Sequence, residues 1–375
     1  MTRSLTHAFV LALVASVTGA CREPDASPWP LPEIVATSKY IEYGTWAEPS
    51  QVCMSEKLAE MDRFIEETAE FLEVAVPAEP IVYVWYPILP EEEDWPCSSD
   101  TACYTTISSN GYIPSTLPFG VQTTFHEFVH AVDNAGLGRG HSIFAEGLAE
   151  YLSRTSASMG TSTLDGFAEK FSAMLEEGIT QYGLAMHFVG SVIQKHGVDG
   201  FKRLRKEVPW DARLQEFTAA YQRALGENLG SALMEMELQP ITGQFPWYCD
   251  GEEVPWPDPG DLEVTLRGSC GDGFFWSEGL VEGVPSRWKD FVLDVPEAGI
   301  YTLTASTVTS ETAGIFAVLD GCVGTESGNI LVSDGVPGIN RLGPGRHLLR
   351  VGLPADAAEP GMIANLKLEF RPLPP

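Results

Sequence analysis

Two histidines four residues apart, with a glutamate directly after the first, form the part of this sequence best suited to chemistry. They lie in the segment HEFVH, which runs from His126 to His130. On an α-helix, residues four apart are rotated by only about 40° relative to each other, so both imidazoles can bind one metal ion. A carboxylate from elsewhere would complete three protein ligands and leave one position for water, which is a catalytic zinc arrangement. Glu127 would then be the base that takes a proton from this water.

A second helical segment supplies two more carboxylates at the same spacing. Residues 142–154 carry apolar side chains at helical intervals, and Glu146 and Glu150 lie four apart on one face. Two helices can therefore each direct two polar groups to a common point. The alternative is a chance match, in which HEFVH places two histidines on the surface of an ordinary helix.

HEFVH, followed fifteen residues later by AEGLAEYL, resembles the gluzincin metallopeptidases. This group includes the thermolysin-like enzymes and the aminopeptidase and leukotriene hydrolase branch. The resemblance implies that His126, His130 and Glu146 are metal ligands for Zn²⁺ and that Glu127 is the general base. It also implies that Glu150 accepts a hydrogen bond from a ligand histidine and so fixes its tautomer. The expected activity is hydrolysis of peptide bonds.

A third match to the aminopeptidase branch lies downstream. That branch has an oxyanion-stabilising tyrosine at a helix start, followed after fifteen residues by a glycine and after four more by a phenylalanine. Tyr182, Gly197 and Phe201 reproduce this spacing. The resemblance implies that Tyr182 is catalytic and donates a hydrogen bond where negative charge develops. The alternative is a tyrosine packed at a helix start, with His187 as a rival donor.

Other patterns of the zinc peptidases are missing from the sequence. The metzincin pattern needs a histidine six residues after the second one of HEFVH, and Gly136 occupies that position. His141 is off that spacing, and we expect it to be a loop residue. The G-x-M-E-N signature of the aminopeptidase branch does not precede His126, so recognition of a free amino terminus is not expected.

Residues 1–20 have the pattern of a secretory signal peptide. Arg3 precedes an apolar run that is too short to span a membrane, and the triplet TGA comes directly before Cys21. A small-residue triplet ending at a cysteine resembles the bacterial lipoprotein lipobox, which implies lipidation of Cys21. The expected location is the bacterial cell envelope, with the exported chain lipid-anchored to the membrane. The alternative is an ordinary signal peptide and a soluble secreted protein.

The charge of the chain excludes some partners. It has 23 basic and 52 acidic residues, and removal of residues 1–20 takes the net charge from −29 to −30. Such acidity repels a phosphate backbone, so nucleic acid is not an expected partner. It also repels anionic lipid surfaces, so we expect membrane attachment only through a lipid on Cys21. The expected partner of the site is a peptide or protein substrate.

Six further cysteines predict disulfide bonds, because an even set in an exported chain is typically oxidised. None has CxxC spacing, so a cysteine zinc site is not expected. Six cysteines allow 15 pairings, and the sequence does not select among them. Cys97 and Cys103 are close enough in the sequence to close a small loop. Cys270 and Cys322 could form a disulfide within the carboxy-terminal region. Cys53 and Cys249 then remain as the third pair.

The hydrophobic periodicity predicts two domains after a tether. Residues 21–34, the lipidated cysteine and a proline-rich stretch, suit an extended tether. Residues 35–245 show strands first and helices later, which predicts an α+β zincin metallopeptidase domain with a substrate-binding edge strand in residues 103–113. In residues 260–375, six short alternating runs between turn residues predict an all-β sandwich domain.

Three functions are compatible with these patterns. The first is a secreted, lipid-anchored zinc metallopeptidase. The second is a catalytically inactive surface binding protein that keeps a zincin scaffold. The third is a zinc hydrolase of a non-peptide acyl substrate. Glu127, Glu146 and Tyr182 are all present, and this favours the first function over the second, because decay most readily removes a catalytic group.

Overall fold

The fold is described from a computed structural model. The predicted signal peptide, Cys21 and most of the predicted tether lie outside the described residues, as do Cys249 and Cys270. The structure describes residues 31–46, 53–86, 97, 102–107, 110–115, 121–153, 164–238, 251–256, 261–266, 275–281, 284–307, 316–322, 330–333, 336–354 and 364–372.

A five-stranded sheet opens the described chain, with the strand order β1-β2-β3-β5-β4. Strands β2, β3 and β5 run parallel, and β1 and β4 pair antiparallel with their neighbours. The range predicted as one substrate-binding edge strand, residues 103–113, contains the edge strand β4 and the start of the inner strand β5. Binding of substrate by this edge stays a prediction. The strands are β1 (Ile34–Thr37), β2 (Ile41–Thr45), β3 (Ile81–Trp85), β4 (Thr105–Ile107) and β5 (Asn110–Ser115).

One helix connects β2 to β3, and the other helices of the described residues follow β5 in the chain. Gly197 has φ 70° and interrupts the longest helix, which confirms the two helical runs predicted on either side of it, because only glycine adopts this backbone at low cost. The helices are α1 (Ser55–Phe71), α2 (Val121–Leu137), α3 (Ser142–Ser153), α4 (Phe167–Glu177), α5 (Tyr182–Glu207), α6 (Leu214–Leu225) and α7 (Leu229–Glu237). Helix α7 was not predicted.

Two further sheets form the carboxy-terminal region. Their orders are β13-β10-β15-β7 and β12-β11-β14-β9-β6, with β8 paired to β9. Strands β6, β8, β12 and β13 were missed by the sequence patterns. The strands are β6 (Glu252–Glu253), β7 (Asp261–Leu266), β8 (Phe275–Val281), β9 (Val284–Val295), β10 (Gly299–Thr307), β11 (Phe316–Gly321), β12 (Ile330–Ser333), β13 (Gly338–Leu342), β14 (Gly345–Pro354) and β15 (Ala364–Pro372).

Side chains from both of these sheets share one apolar cluster. Leu293 of β9 and Leu349 of β14 belong to the larger sheet, and Leu303 of β10 belongs to the smaller one. All three are at most 1% exposed. The described residues thus form a mixed α/β protein with three sheets. No helix among them is both long and apolar enough to cross a bilayer.

Buried charges join α1 to the second of these sheets. Lys57 on α1 donates to Asp290 on β9 at 2.8 Å, and their side chains are 4% and 2% exposed. Arg350 on β14 lies 3.5 Å from the same carboxylate. Trp288, two residues before Asp290, packs in the apolar cluster of the helices. The carboxy-terminal strands are therefore part of the packing around α1.

The cysteines are partly accounted for. Cys97 and Cys103 form a disulfide with Cα atoms 5.4 Å apart, as predicted. Cys53 and Cys322 are also disulfide-bonded. The predicted partners, Cys249 for Cys53 and Cys270 for Cys322, lie outside the described ranges, so these two pairings stay predictions.

Candidate metal centre

The apolar residues of α2 fix the direction of its polar ones. Phe125, Phe128, Val129 and Val132 are at most 1% exposed and recur at the spacing of one helix face. Phe128 meets the ring of Tyr83 on β3, with centroids 6.0 Å apart. This apolar face is held against the sheet and α1, so the adjacent face of α2 carries the two histidines.

Helix α3 presents its carboxylates to the same point because it packs unusually close to α5. A Cβ atom at Gly147 would lie 2.4 Å from the backbone oxygen of Ala185, a distance that no side chain permits. Glycine therefore allows the two backbones to approach. Glu146 precedes this contact and Glu150 follows it by three residues, so the close packing sets the position of both.

The three predicted ligand atoms form a nearly equilateral triangle. Nε2 of His126 lies 3.1 Å from Nε2 of His130 and 3.2 Å from Oε2 of Glu146, and the third side measures 3.4 Å. A tetrahedral ion with bonds of about 2.0–2.2 Å holds its ligand atoms about 3.3–3.6 Å apart. Within the described part of the chain, these three side chains are the group of histidines and carboxylates that could hold a metal ion.

The charges around the triangle favour a cation. Burial alone would lower the pKa of His126, but hydrogen bonds with Glu146 and Glu150 raise it to about 10. Burial would raise the pKa of Glu146, but hydrogen bonds with His126 and His130 lower it to about 2. The field that keeps a proton on the imidazole also attracts a metal ion, which binds the neutral form of the ring.

Glu150 lies behind His126, at the ring nitrogen that is not part of the triangle. Its Oε1 is 3.2 Å from Nδ1 of His126, and its side chain is 7% exposed. An Nδ1–H that donates to this carboxylate leaves Nε2 with a lone pair for a metal. The structure thus places Glu150 where it can fix the tautomer of His126.

Glu127 lies between the triangle and the edge strand. It is 6% exposed, and burial raises the pKa of its carboxyl, against the lowering effect of His126 and His130. The backbone N–H of Tyr104, directly before β4, donates to its carboxylate. Glu127 is therefore oriented by the edge strand and has a higher proton affinity than an exposed glutamate.

Tyr182, the first residue of α5, packs against one member of the triangle. Its ring stacks on that of His126, with centroids 5.8 Å apart and planes inclined by 28°. The residue is 45% exposed and lines the same cleft. The structure thus brings together all six residues that sequence reasoning assigned to the site: His126, Glu127, His130, Glu146, Glu150 and Tyr182.

The two remaining candidate histidines have structural roles. His141 accepts a hydrogen bond at Nδ1 from the backbone N–H of Ile143, at the start of α3, and donates from Nε2 to the carbonyl of Ala212. Both nitrogens are engaged, as a loop residue that caps a helix requires. His187 is buried and donates from Nε2 to the carbonyl of Met236 at 2.7 Å, so it is not available as an oxyanion donor.

Sequence reasoning missed an ion pair that fixes the end of α2. Arg205 on α5 donates to Asp133 at 2.7 Å, and both side chains are 5% exposed. Arg205 also donates to the carbonyl of Gly138. Asp133 lies three residues after His130, within an otherwise apolar face of α2. An acidic residue on an apolar helix face indicates a buried ion pair, but the neighbouring sequence does not identify Arg205 as the partner of Asp133.

No protein-family model matches the chain, and no curated protein matches it. Among solved structures, it is similar to the pre-peptidase C-terminal domain of a collagenase from Bacillus anthracis. The identity is 12%, the match covers 32% of this chain and 95% of that domain, and the TM-score is 0.19. A TM-score this low carries no argument, so the function of the site has to be inferred from its geometry.

Proposed function

We propose that this protein is an exported zinc metallopeptidase of the gluzincin type. The observation that carries the proposal is the triangle of candidate ligand atoms from His126, His130 and Glu146, with sides of 3.1–3.4 Å. Glu127, a buried glutamate, lies beside this triangle and is not part of it. A structural metal site has four protein ligands and needs no such neighbour. Three ligands and an adjacent carboxylate suit hydrolysis.

Each polar group then has one task. His126, His130 and Glu146 would hold Zn²⁺, which when bound acts as a Lewis acid and lowers the pKa of a water molecule. Glu127 takes the proton of the attacking water and passes it to the leaving amine. Its buried carboxylate suits this transfer, because burial brings its pKa closer to neutral pH.

Tyr182 is proposed to stabilise the negative charge that develops on the carbonyl oxygen. Its ring already lies against His126, and its exposed face opens into the cleft. A phenolic O–H there can donate a hydrogen bond to the oxyanion, which is worth more in the transition state than in the ground state.

The edge strand favours a peptide as the substrate. Ala102, Cys103 and Tyr104 line the cleft at the start of β4. An extended peptide can add to a sheet edge through its backbone hydrogen bonds, and this would bring a scissile bond next to Glu127. The third function, hydrolysis of a non-peptide acyl substrate, uses the same water activation but makes no use of the edge.

The proposed domain division follows the two kinds of architecture. Residues 35–245 are proposed to form a zincin-like domain, since the sheet with an antiparallel edge precedes the helices of the site. Residues 260–375 are proposed to form a β-sandwich, since two sheets share one apolar cluster. No metal-ligand cluster was found in the described residues of the second region.

A digest of a peptide library by the purified mature protein tests the activity. We expect new cleavage products in the presence of zinc, none after chelation, and recovery when zinc is restored, because the site keeps an open coordination position. Mass spectrometry of the products also shows whether cleavage is internal or terminal. Zinc-loaded protein that cleaves no peptide but hydrolyses acyl esters would favour the third function, and no hydrolysis at all would favour the inactive scaffold.

We also propose that the mature chain is anchored by a lipid on Cys21. Expression in a bacterial host with a labelled fatty acid should label the wild-type protein and place it in the membrane fraction. Cys21→Ser removes the thiol that carries the lipid and should abolish the label. A wild-type protein that stays unlabelled and soluble contradicts the anchor and supports an ordinary signal peptide.

A further inference from the structure

The cleft of the metal centre extends well beyond the ligands. Its volume is about 790 Å³, which is more than the metal and a water molecule need. Three connections converge on the far end of the cleft. These are the loop between α2 and α3 with Arg139, the turn between α4 and α5 with Gly178, and the loop between α5 and α6 with Trp210 and Arg213.

Two arginines at this end lack an acidic partner. Within the described residues, no carboxylate oxygen lies within 4.0 Å of the guanidinium of Arg139 or Arg213. Arg205, in the same cleft, is paired with Asp133. The chain has 52 acidic residues against 23 basic ones, so acidic partners are abundant. Both side chains are exposed, so among the described residues nothing neutralises these two guanidinium groups, and both can reach an anion that enters the cleft.

The guanidinium of Arg213 lies against the turn between α4 and α5. Gly178 has φ 68° at the end of α4, and a Cβ atom there would collide with Nη1 of Arg213. The guanidinium thus occupies the space that glycine leaves free. The same turn continues through Thr180, whose Oγ1 is 2.7 Å from Oγ of Ser142 at the start of α3, to Tyr182 above the ligands. One turn therefore contacts Arg213, the start of α3 and the start of α5.

Arg139 is oriented by an exposed aromatic ring. Its Cζ lies 5.2 Å from the ring centroid of Trp210, a cation–π contact that restricts the guanidinium before any ligand arrives. Trp210 is 63% exposed and Ile179 is 59% exposed, so two apolar side chains form a rim at the arginines' end of the cleft. Asp211 also lines this end and is exposed, but it pairs with neither arginine. The rim suits the aliphatic part of a residue that ends in a carboxylate.

We propose that Arg139 and Arg213 form a subsite for a substrate carboxylate, so that the enzyme prefers peptides with a negative charge on one side of the scissile bond. This inference rests on the proposed peptidase function. Arginine is suited to this task because its planar guanidinium binds a carboxylate through two parallel hydrogen bonds. The carboxylate belongs either to an aspartate or glutamate side chain or to the free carboxy terminus of the peptide.

A peptide series separates these sources. All members share one core sequence, and a single glutamate is moved through the three positions on each side of the scissile bond, with a glutamine peptide as the counterpart. Each member is made with a free and an amidated carboxy terminus. We expect kcat/KM to be about tenfold higher for the best acidic member than for its neutral counterpart, as one charge-assisted hydrogen bond provides. A preference that follows the glutamate identifies a side chain, and one that is lost on amidation identifies the terminus.

Substitution of Arg213 tests the assignment. Arg213→Gln should reduce the ratio of kcat/KM for acidic and neutral peptides to about one, and Arg213→Glu should reverse it in favour of a lysine peptide. Arg139→Gln should lower the ratio in the same direction. The matched control is Arg223→Gln on α6, which removes the same charge from an arginine paired with Glu207 outside the cleft, and it should leave the ratio unchanged. An unchanged ratio in Arg213→Gln, or equal rates for all peptides with the wild type, overturns the subsite.

Binding to Glu127→Gln protein keeps this test independent of turnover. Fluorescence anisotropy of the labelled acidic peptide should show tighter binding than for the neutral one, and the difference should vanish in Glu127→Gln/Arg213→Gln. If the wild type cleaves no peptide but this difference is present, the subsite stands and the peptidase proposal fails. If peptides are cleaved without charge preference, the subsite fails and the peptidase proposal stands. If neither cleavage nor charge-dependent binding occurs, both are wrong.

Discussion

His130→Ala is expected to leave the protein unable to retain zinc. One of three ligand atoms is lost, and the remaining pair, Nε2 of His126 and Oε2 of Glu146, no longer surrounds an ion. Loss of a hydrogen-bond partner of a ligand lowers metal affinity by about 10- to 100-fold, so loss of a ligand should exceed this. Elemental analysis after gel filtration should find about one zinc ion per wild-type chain and almost none in the variant.

Two controls separate metal loss from misfolding. His196→Ala removes a histidine on α5 outside the cleft, whose nearest acidic partner is Glu227 at 3.6 Å, and it should keep its zinc. Added zinc should raise the melting temperature of the wild type, because it binds the folded state, but not that of His130→Ala. Glu150→Gln should bind zinc with an intermediate affinity. Stoichiometric zinc in folded His130→Ala would rule out this ligand set.

Glu127→Gln is expected to reduce peptide hydrolysis by at least about a hundredfold while zinc content stays near normal. The amide keeps the shape of the side chain and can still accept from the N–H of Tyr104, but it cannot take a proton from water. The measurement is kcat/KM on the best peptide of the library together with zinc per chain. Full activity in this variant would show that Glu127 is not the base.

Tyr182→Phe provides a contrast within the same assay. The phenylalanine ring can keep the stacking on His126, so metal binding should be unaffected. Only the donor to the oxyanion is lost, and kcat should fall by about ten- to a thousandfold with little change in KM. A silent Tyr182→Phe would remove Tyr182 from the mechanism. His187 would not replace it, because its Nε2–H is committed to the carbonyl of Met236.

The position of His187 could have been derived from helix geometry. Five residues on an α-helix turn a side chain by about 140°, so His187 and Tyr182 point to different sides of α5. The sequence pattern placed both on one helix and treated them as rivals. Tyr182 lies in the cleft and His187 lies in the core, against the ring of Phe167.

The sequence determined those parts of the site that depend on local periodicity. In α2, the two histidines His126 and His130 alternate with the apolar residues Phe125, Phe128 and Val129. When the apolar face of the helix packs in the core, the histidines lie on the adjacent face that lines the cleft. The break at Gly197 is local in the same sense, because glycine alone tolerates its backbone angles. The candidate ligand group and the helices that carry it were therefore predictable.

Only the tertiary structure decided which distant charges meet. Asp133 and Arg205 are 72 residues apart, and Lys57 and Asp290 are 233 residues apart. Arg139 and Arg213 face one cleft because three loops converge there. Charged residues do not recur at a spacing that identifies their partners. An arginine in a loop looks the same in the sequence whether it forms an ion pair, faces solvent or binds a ligand. The packing of α2, α3 and α5 brings these residues together, and that packing depends on the whole core.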